Sequence, residues 1–161
     1  MVELSSVENV VRVIFPQTMM NDGELLPAAF KLRERSDGAE QYISVFRQYS
    51  ESFCNDILNF DKQRNLPCCI MNVGEVTEIK LQIADKLVKY IVKAVPTDNY
   101  LSHAGIYTYL DGFIIEGNGK TAFSALNIGE ESKFHLIAIR RRLVDIAKKR
   151  ITIVSQIAKR C

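Results

Sequence analysis

The chain has 161 residues, of which 47% are hydrophobic and 25% are charged. This length predicts a single domain over residues 1–161, and the composition excludes disordered, collagen-like and coiled-coil chains. The formal net charge is +2. The chain contains no run of about 20 apolar residues, the length that a membrane-spanning helix needs.

The beginning of the chain and its cysteines indicate a cytosolic protein. The first residues carry acids where a signal peptide carries Lys or Arg, and no long apolar core follows. The four cysteines have no Cys-x-x-Cys spacing; they are Cys54, Cys68, Cys69 and Cys161. The adjacent Cys68 and Cys69 do not easily bridge each other, so we expect them to be buried thiols with a structural role.

The charges are unevenly distributed along the chain. Residues 132–161 hold nine bases and a single acid, Asp145, for a balance of +8, whereas the remaining residues balance to −6. Such asymmetry predicts a negatively charged partner for the C-terminal part. That partner is a polyanion, the acidic body of the same molecule, or a second copy of the chain.

The first half of the chain predicts three strands and one helix. β-Branched and alternating residues predict strands over 10–15, 41–46 and 68–73. Between the first two strands, Asn21-Asp-Gly23 predicts a turn, 25–32 a short helix or an extended loop, and 33–40 an exposed loop. Ser50 or Ser52 caps a predicted helix that runs to about Arg64.

The second half predicts further strands and a C-terminal helix. Strands are expected over 76–80, 86–95 and 104–110, although a helix across 75–90 is an alternative for the first. Segments 112–116 and 121–126 flank a predicted turn at Gly117-Asn-Gly119. Helical spacing of apolar residues then runs from Leu136 to Ile157, with Glu130 and Glu131 at its start. The β-branched stretch 150–154 weakens the helical pattern, so a break near Lys149 into two helices is the alternative.

Strands in the body with helices in the middle and at the end predict an α+β fold. The spacing between strands is often too short for parallel crossovers, which need about 10–12 residues. We therefore expect a mainly antiparallel sheet on which a central helix and a long C-terminal helix pack.

His103 is the candidate catalytic residue, because it lies at the junction of a loop and a strand, and a histidine side chain can shuttle protons near neutral pH. The alternative is a histidine that holds the loop through a backbone carbonyl. Arg33 and Arg47 are candidate anion-binding residues if they face a cleft with His103. His135 and His103 are too far apart in sequence to predict a metal site, and no cofactor is expected.

The segment Gly117-Asn-Gly-Lys-Thr121 resembles the end of a phosphate-binding loop. The full pattern requires a glycine at position 114, where the chain has Ile114. No clear helix is predicted after Thr121, so a simple β-turn is the better interpretation.

Two basic triplets on the predicted C-terminal helix are the candidate partner-binding residues: Arg140, Arg141, Arg142, Lys148, Lys149 and Arg150. A basic helical face suits phosphates or acidic side chains, but no aromatic residues alternate with these bases to stack on a nucleic acid. A solvated face of a core helix is the structural alternative.

Three short segments are similar to a family of small bacterial proteins. They are Asp22-Gly23 with Pro27-Ala-Ala-Phe30-Lys-Leu-Arg33, then Tyr42-Ile-Ser-Val45, then Ser102-His-Ala-Gly-Ile106. The resemblance spans most of residues 10–110. It implies a bacterial setting and brings no assigned activity.

These observations predict a cytosolic binding or accessory module. Its basic C-terminal segment, residues 130–161, docks an acidic protein or another copy of the chain. The alternative is a small enzyme acting on a nucleotide or phosphodiester, with His103 as acid or base. A nucleic-acid binder is the third possibility.

Overall fold

The computed structural model describes residues 2–129 and 133–161. Its strands in chain order are β1 (Asn9–Val13), β2 (Met20–Asn21), β3 (Glu24–Leu25), β4 (Glu34–Arg35), β5 (Gly38–Ala39), β6 (Ile43–Arg47), β7 (Pro67–Asn72), β8 (Lys80–Ile83), β9 (Lys86–Ala94), β10 (His103–Leu110), β11 (Phe113–Ile114) and β12 (Ile151–Ile153). Within the described residues, eight strands form one sheet in the order β12-β7-β1-β6-β10-β9-β8, with β11 paired to β10. Each of these pairings is antiparallel.

Helices cover both faces of this sheet. They are α1 (Pro16–Met19), α2 (Phe53–Phe60), α3 (Val73–Glu78), α4 (Lys120–Ala125), α5 (Phe134–Ala147) and α6 (Val154–Ala158), with 3-10 turns at Pro27–Phe30 and Lys148–Arg150. The predicted α+β class is confirmed, including the central helix α2 and the long C-terminal helix α5. None of the helices in the described part of the chain has the length and apolar character needed to cross a bilayer.

The larger apolar cluster lies on what we call the first face of the sheet. Alternation along the strands sends Val10, Cys69, Ile106 and Val92 to this side, where they are fully or almost fully buried. The helices α3 and α5 and the turn Pro27–Phe30 pack over it. Burial of these side chains is the main source of stability for this layer.

The smaller cluster lies on the opposite, second face. Val11, Phe46 and Cys68 point to this side and pack against α2 and α6. The apolar residues Phe53 and Ile57 of α2 are buried here, as the predicted helical stripe requires. The predicted helix is shorter than expected, since α2 ends at Phe60 and not near Arg64.

The predicted strand over 76–80 is wrong, because residues 73–78 form α3. The side chain of Asn72 accepts a hydrogen bond from the N–H of Glu75 at 3.1 Å, which caps the helix. Val73 and Val76 are buried against the sheet. The cap and this packing outweigh the strand propensity of the valines, and the strand β8 starts only at Lys80.

Two further segments differ from the prediction. Residues 33–40, predicted as an exposed loop, are largely exposed but contain the short hairpin β4–β5. A helix, α4, follows the glycine turn where no helix was expected, because Ala122 and Phe123 find buried positions.

The C-terminal segment is not one helix. Helix α5 ends at Ala147, and Ile151, Thr152 and Ile153 form the strand β12 beside β7. β-Branched side chains crowd a helix and suit a strand, so the chain leaves the helical path where that run begins. The predicted helix start at Glu130 and Glu131 lies outside the described residues.

Candidate functional site

Ser102 and Asp56 form a buried polar pair beside His103. Asp56, on α2, accepts hydrogen bonds from the Ser102 N–H at 2.8 Å and from the Ser102 hydroxyl at 2.6 Å. Both residues are buried. The contact connects α2 to the turn that precedes β10.

His103 lies in an aromatic setting on the second face. Its Nδ1 donates to the Val95 carbonyl at 2.9 Å. The rings of Tyr42 and Phe46 pack against it with centroids 5.7 and 6.3 Å away. This hydrogen bond to a backbone carbonyl is the one expected of a histidine that only holds the loop in place. The catalytic role of His103 stays a prediction.

Arg33 and Arg47 each have a glutamate partner. Arg33 pairs with Glu40 at 3.1 Å, and Arg47 pairs with Glu8 at 2.9 Å. Neither arginine lines any of the three cavities described for this fold, nor does His103. The shared cleft with His103 and the anion-binding role of Arg33 and Arg47 therefore stay predictions.

The glycine turn before α4 is occupied by a carboxylate. Glu34 Oε1 accepts the N–H of Asn118 at 2.9 Å, and a Cβ at Gly117 would collide with the same carboxylate. A helix does follow the turn, contrary to expectation, but an acidic side chain lies where a phosphate would bind.

Helix α5 has a core face and an outer basic face. Leu136, Ile139 and Leu143 are buried in the larger cluster. Arg140 is only partly exposed, and its burial lowers the pKa of its guanidinium group. Arg141 on the outer face is solvent-exposed. The helix therefore packs in the core on one side and carries positive charge at the surface on the other.

The other predicted partner-binding residues differ in how they are paired. Arg142 is exposed, as is Arg141, and neither has an ion pair within residues 2–129 and 133–161. Lys148 pairs with Asp145 at 3.1 Å, and Lys149 approaches Glu75 at 4.0 Å. These are exposed contacts and contribute less than about 1 kcal/mol each.

Five bases precede or follow the strand β12 in the chain, and we call this set the basic edge: Lys148, Lys149, Arg150, Lys159 and Arg160. All five are solvent-exposed. β12 is the outermost strand of the sheet on this side. The residues from 148 to 161 include no acid, and the acids that contact Lys148 and Lys149, namely Asp145 and Glu75, come from outside this range.

A groove of about 680 Å³ opens beside β12 on the second face. Its apolar lining comes from Phe53, Ile70 and Ile157, and its polar lining includes Thr152. Gln48 and Gln156 add amide groups, and Arg150 and Arg160 both line it. A concave surface with an apolar floor and two guanidinium groups suits a ligand that carries both an apolar part and an anion.

The wall of this groove contains a disulfide between Cys54 and Cys161. Their Cα atoms are 5.8 Å apart, which is an ordinary spacing for such a bond. Sequence reasoning missed the pair because the two residues are 107 positions apart. The only signal was that these were the two cysteines outside the apolar run 68–73.

Cys68 and Cys69 are buried free thiols, as expected. Burial raises the pKa of each to about 12, which suppresses the reactive thiolate. Within the described residues, no group of three or more His, Cys, Asp or Glu side chains is placed to hold a metal ion.

Comparison of the chain with protein-family models, curated proteins and solved structures finds no match. The resemblance to small bacterial proteins therefore stays a prediction.

Proposed function

We propose that this chain is a binding module that docks an acidic protein partner through its basic edge and the adjoining outer face of α5. One observation carries the proposal: Arg150 and Arg160 line the same groove, and neither has an ion pair among the described residues. Arginine side chains without an acidic partner at the rim of a concave surface are suited to bind carboxylates.

The surroundings of these arginines favour a protein over a nucleic acid. Ile151 and Ile153 are both 40% exposed beside the cations, and apolar side chains of this kind suit a protein interface. The experiment below distinguishes an acidic protein from a nucleic acid as the partner.

The experiment compares two charge-reversed variants with equal net charge. R150E/R160E reverses the groove, and K31E/K62E reverses two exposed lysines that have no ion pair in the described structure. Binding of a labelled polyglutamate peptide is measured by fluorescence anisotropy at low and moderate salt. We expect R150E/R160E to weaken binding about tenfold and K31E/K62E to change it little.

Equal weakening by both variants would contradict the proposal, since it would mean that net charge alone drives the association. A single-stranded oligonucleotide is titrated in parallel. If the oligonucleotide binds more tightly than polyglutamate and shows the steeper salt dependence, the nucleic-acid hypothesis replaces this one.

An enzyme that uses His103 remains the alternative hypothesis. It requires that His103→Ala abolish a cellular activity while thermal stability is unchanged.

A cytoplasmic location is also part of the proposal. Disulfides are rare in reducing compartments, so the oxidation state of Cys54 and Cys161 in cells, read by thiol alkylation and mass spectrometry, tests it.

A further inference from the structure

We infer that the acidic partner binds as an extended strand that adds to the free edge of β12, and that its contacting residues read apolar–acidic–apolar. This inference rests on the proposed function and specifies its partner. Strand addition supplies affinity through main-chain hydrogen bonds and specificity through alternate side chains.

The hydrogen-bonding pattern shows which backbone groups of β12 are free. The N–H of Val154 donates to the Leu66 carbonyl at 3.0 Å, and Thr152 lies opposite Cys68. Groups two residues apart point the same way in an antiparallel ladder, so Thr152 also faces β7. The N–H and C=O groups of Ile151 and the N–H of Ile153 therefore point outward, whereas the carbonyl of Ile153, the N-cap residue of α6, accepts the first hydrogen bond of that helix.

The hydrogen bonds between β7 and β1 agree with this alternation of inward and outward groups. The carbonyl of Pro67, opposite Ile153, accepts from the N–H of Ile14 at 2.8 Å and so faces β1. The backbone of Ile153 therefore makes no hydrogen bond to Pro67, the residue opposite it on β7. Three outward groups on two alternate residues are available to an added strand of about three residues.

Side-chain alternation places the groove beneath the middle residue of such a strand. Thr152 lies opposite Cys68, which belongs to the smaller cluster, so Thr152 points to the second face and lines the groove. A residue added opposite Thr152 points to the same face. It would meet Arg150 and Arg160, and an aspartate or glutamate satisfies both.

The two flanking residues of the added strand meet an apolar surface. Ile151 lies opposite Cys69, which belongs to the larger cluster, so the side chains of Ile151 and Ile153 are directed to the first face, and Ile151 also borders the groove at the edge of the sheet. Both side chains are 40% exposed, so a partner can bury their remaining apolar surface. Apolar residues opposite them would bury this surface, in either strand direction.

A second copy of the chain is a poor occupant of this edge. Pairing of β12 with β12 of another molecule would bring two basic edges together, each with five cations and no acid between residues 148 and 161. Like charges across paired strands are destabilising. The same cations that oppose self-association attract an acidic strand.

Short peptides test the sequence rule. The probe is a labelled, capped peptide with Val-Glu-Val at its centre and Ser-Gly flanks, compared with Val-Gln-Val and Ser-Glu-Ser versions. We expect each replacement to weaken binding at least about fivefold. The variant R150E/R160E is expected to prefer a Val-Lys-Val peptide, because the charge pair is then exchanged.

Backbone methylation tests strand addition itself. In the added strand, amides that point to β12 alternate with amides that point away. N-methylation of the facing amide that donates to the Ile151 carbonyl removes one hydrogen bond and is expected to weaken binding about fivefold, whereas methylation of the next amide leaves it unchanged. Hydrogen exchange of the Ile151 and Ile153 amides is expected to slow on binding, while that of Thr152, already bonded to β7, does not change.

The outcomes separate the two proposals. If polyglutamate binds at the basic edge but both methylated peptides bind equally and the exchange of Ile151 and Ile153 is unchanged, strand addition is overturned and the docking function stands. If no acidic peptide binds, both are overturned. Alternating sensitivity to methylation with protection of Ile151 and Ile153 supports both.

Discussion

Ser102 donates two hydrogen bonds to one carboxylate oxygen of Asp56, one from its N–H and one from its hydroxyl. This contact fixes α2 against the turn before β10. Because α2 contributes Phe53 and Cys54 to the groove, the pair also helps to hold one wall of the proposed binding surface.

Asp56→Ala is expected to lower the free energy of unfolding by about 2–3 kcal/mol, since it leaves the buried Ser102 N–H and hydroxyl without an acceptor. Ser102→Ala is the matched control. It keeps the N–H contact and is expected to cost only about 1 kcal/mol. Urea unfolding followed by circular dichroism measures both, and equal costs would contradict the assignment of the larger loss to unsatisfied donors.

The Cys54–Cys161 disulfide is expected to stabilise the fold, because it closes a long loop in the unfolded chain. C54S/C161S should lower the free energy of unfolding by about 2–4 kcal/mol. A reducing agent should bring the wild type down to the level of the variant and leave the variant unchanged. If reduction has no effect on the wild type, the bond does not contribute to stability.

Gly105 lies where a side chain would collide with Tyr42. A Cβ at this position would come within 2.7 Å of the Tyr42 ring. Gly105→Ala should therefore lower the free energy of unfolding by about 1–3 kcal/mol.

A double-mutant cycle separates this collision from the effect of alanine itself. The cost of Gly105→Ala should be clearly smaller in a Tyr42→Ala background, where the ring is absent. Additive costs, measured by chemical denaturation, would show that the contact between these residues is not the cause.

Cys68 and Cys69 should resist alkylation in the folded protein. Their pKa values of about 12 leave far less thiolate at pH 8 than an ordinary thiol, so iodoacetamide should react at least about a hundredfold more slowly than with the urea-unfolded chain. Mass spectrometry of timed samples measures the rates. Rapid modification of the native protein would show that these thiols are accessible.

The same thiols predict the direction of a pH dependence. An ordinary thiol has a pKa of 9.0, so between that pH and about 12 the unfolded chain loses protons that the folded chain keeps. Stability should therefore fall as the pH rises above about 9. The urea midpoint at pH 10 should lie below that at pH 8, and C68A/C69A should show a smaller decrease.

The sequence alone was sufficient for the elements that carry strong local patterns. The alternation in β9 and β10 and the helical stripe of α2 predicted both the type of element and the residues that face the core. Local periodicity determines these features because one face of each element must be buried. The concentration of bases at the C-terminal end is also a property of sequence.

The tertiary structure decided the features on which the candidate site depends. Ile151–Ile153 became a strand because β7 offered a free edge, and Cys54 met Cys161 only through the packing of α2 with α6. Arg150 and Arg160 share a groove for the same reason. These contacts join positions distant in the chain, so neither local propensity nor spacing specifies them. They form only when the faces of the sheet are covered.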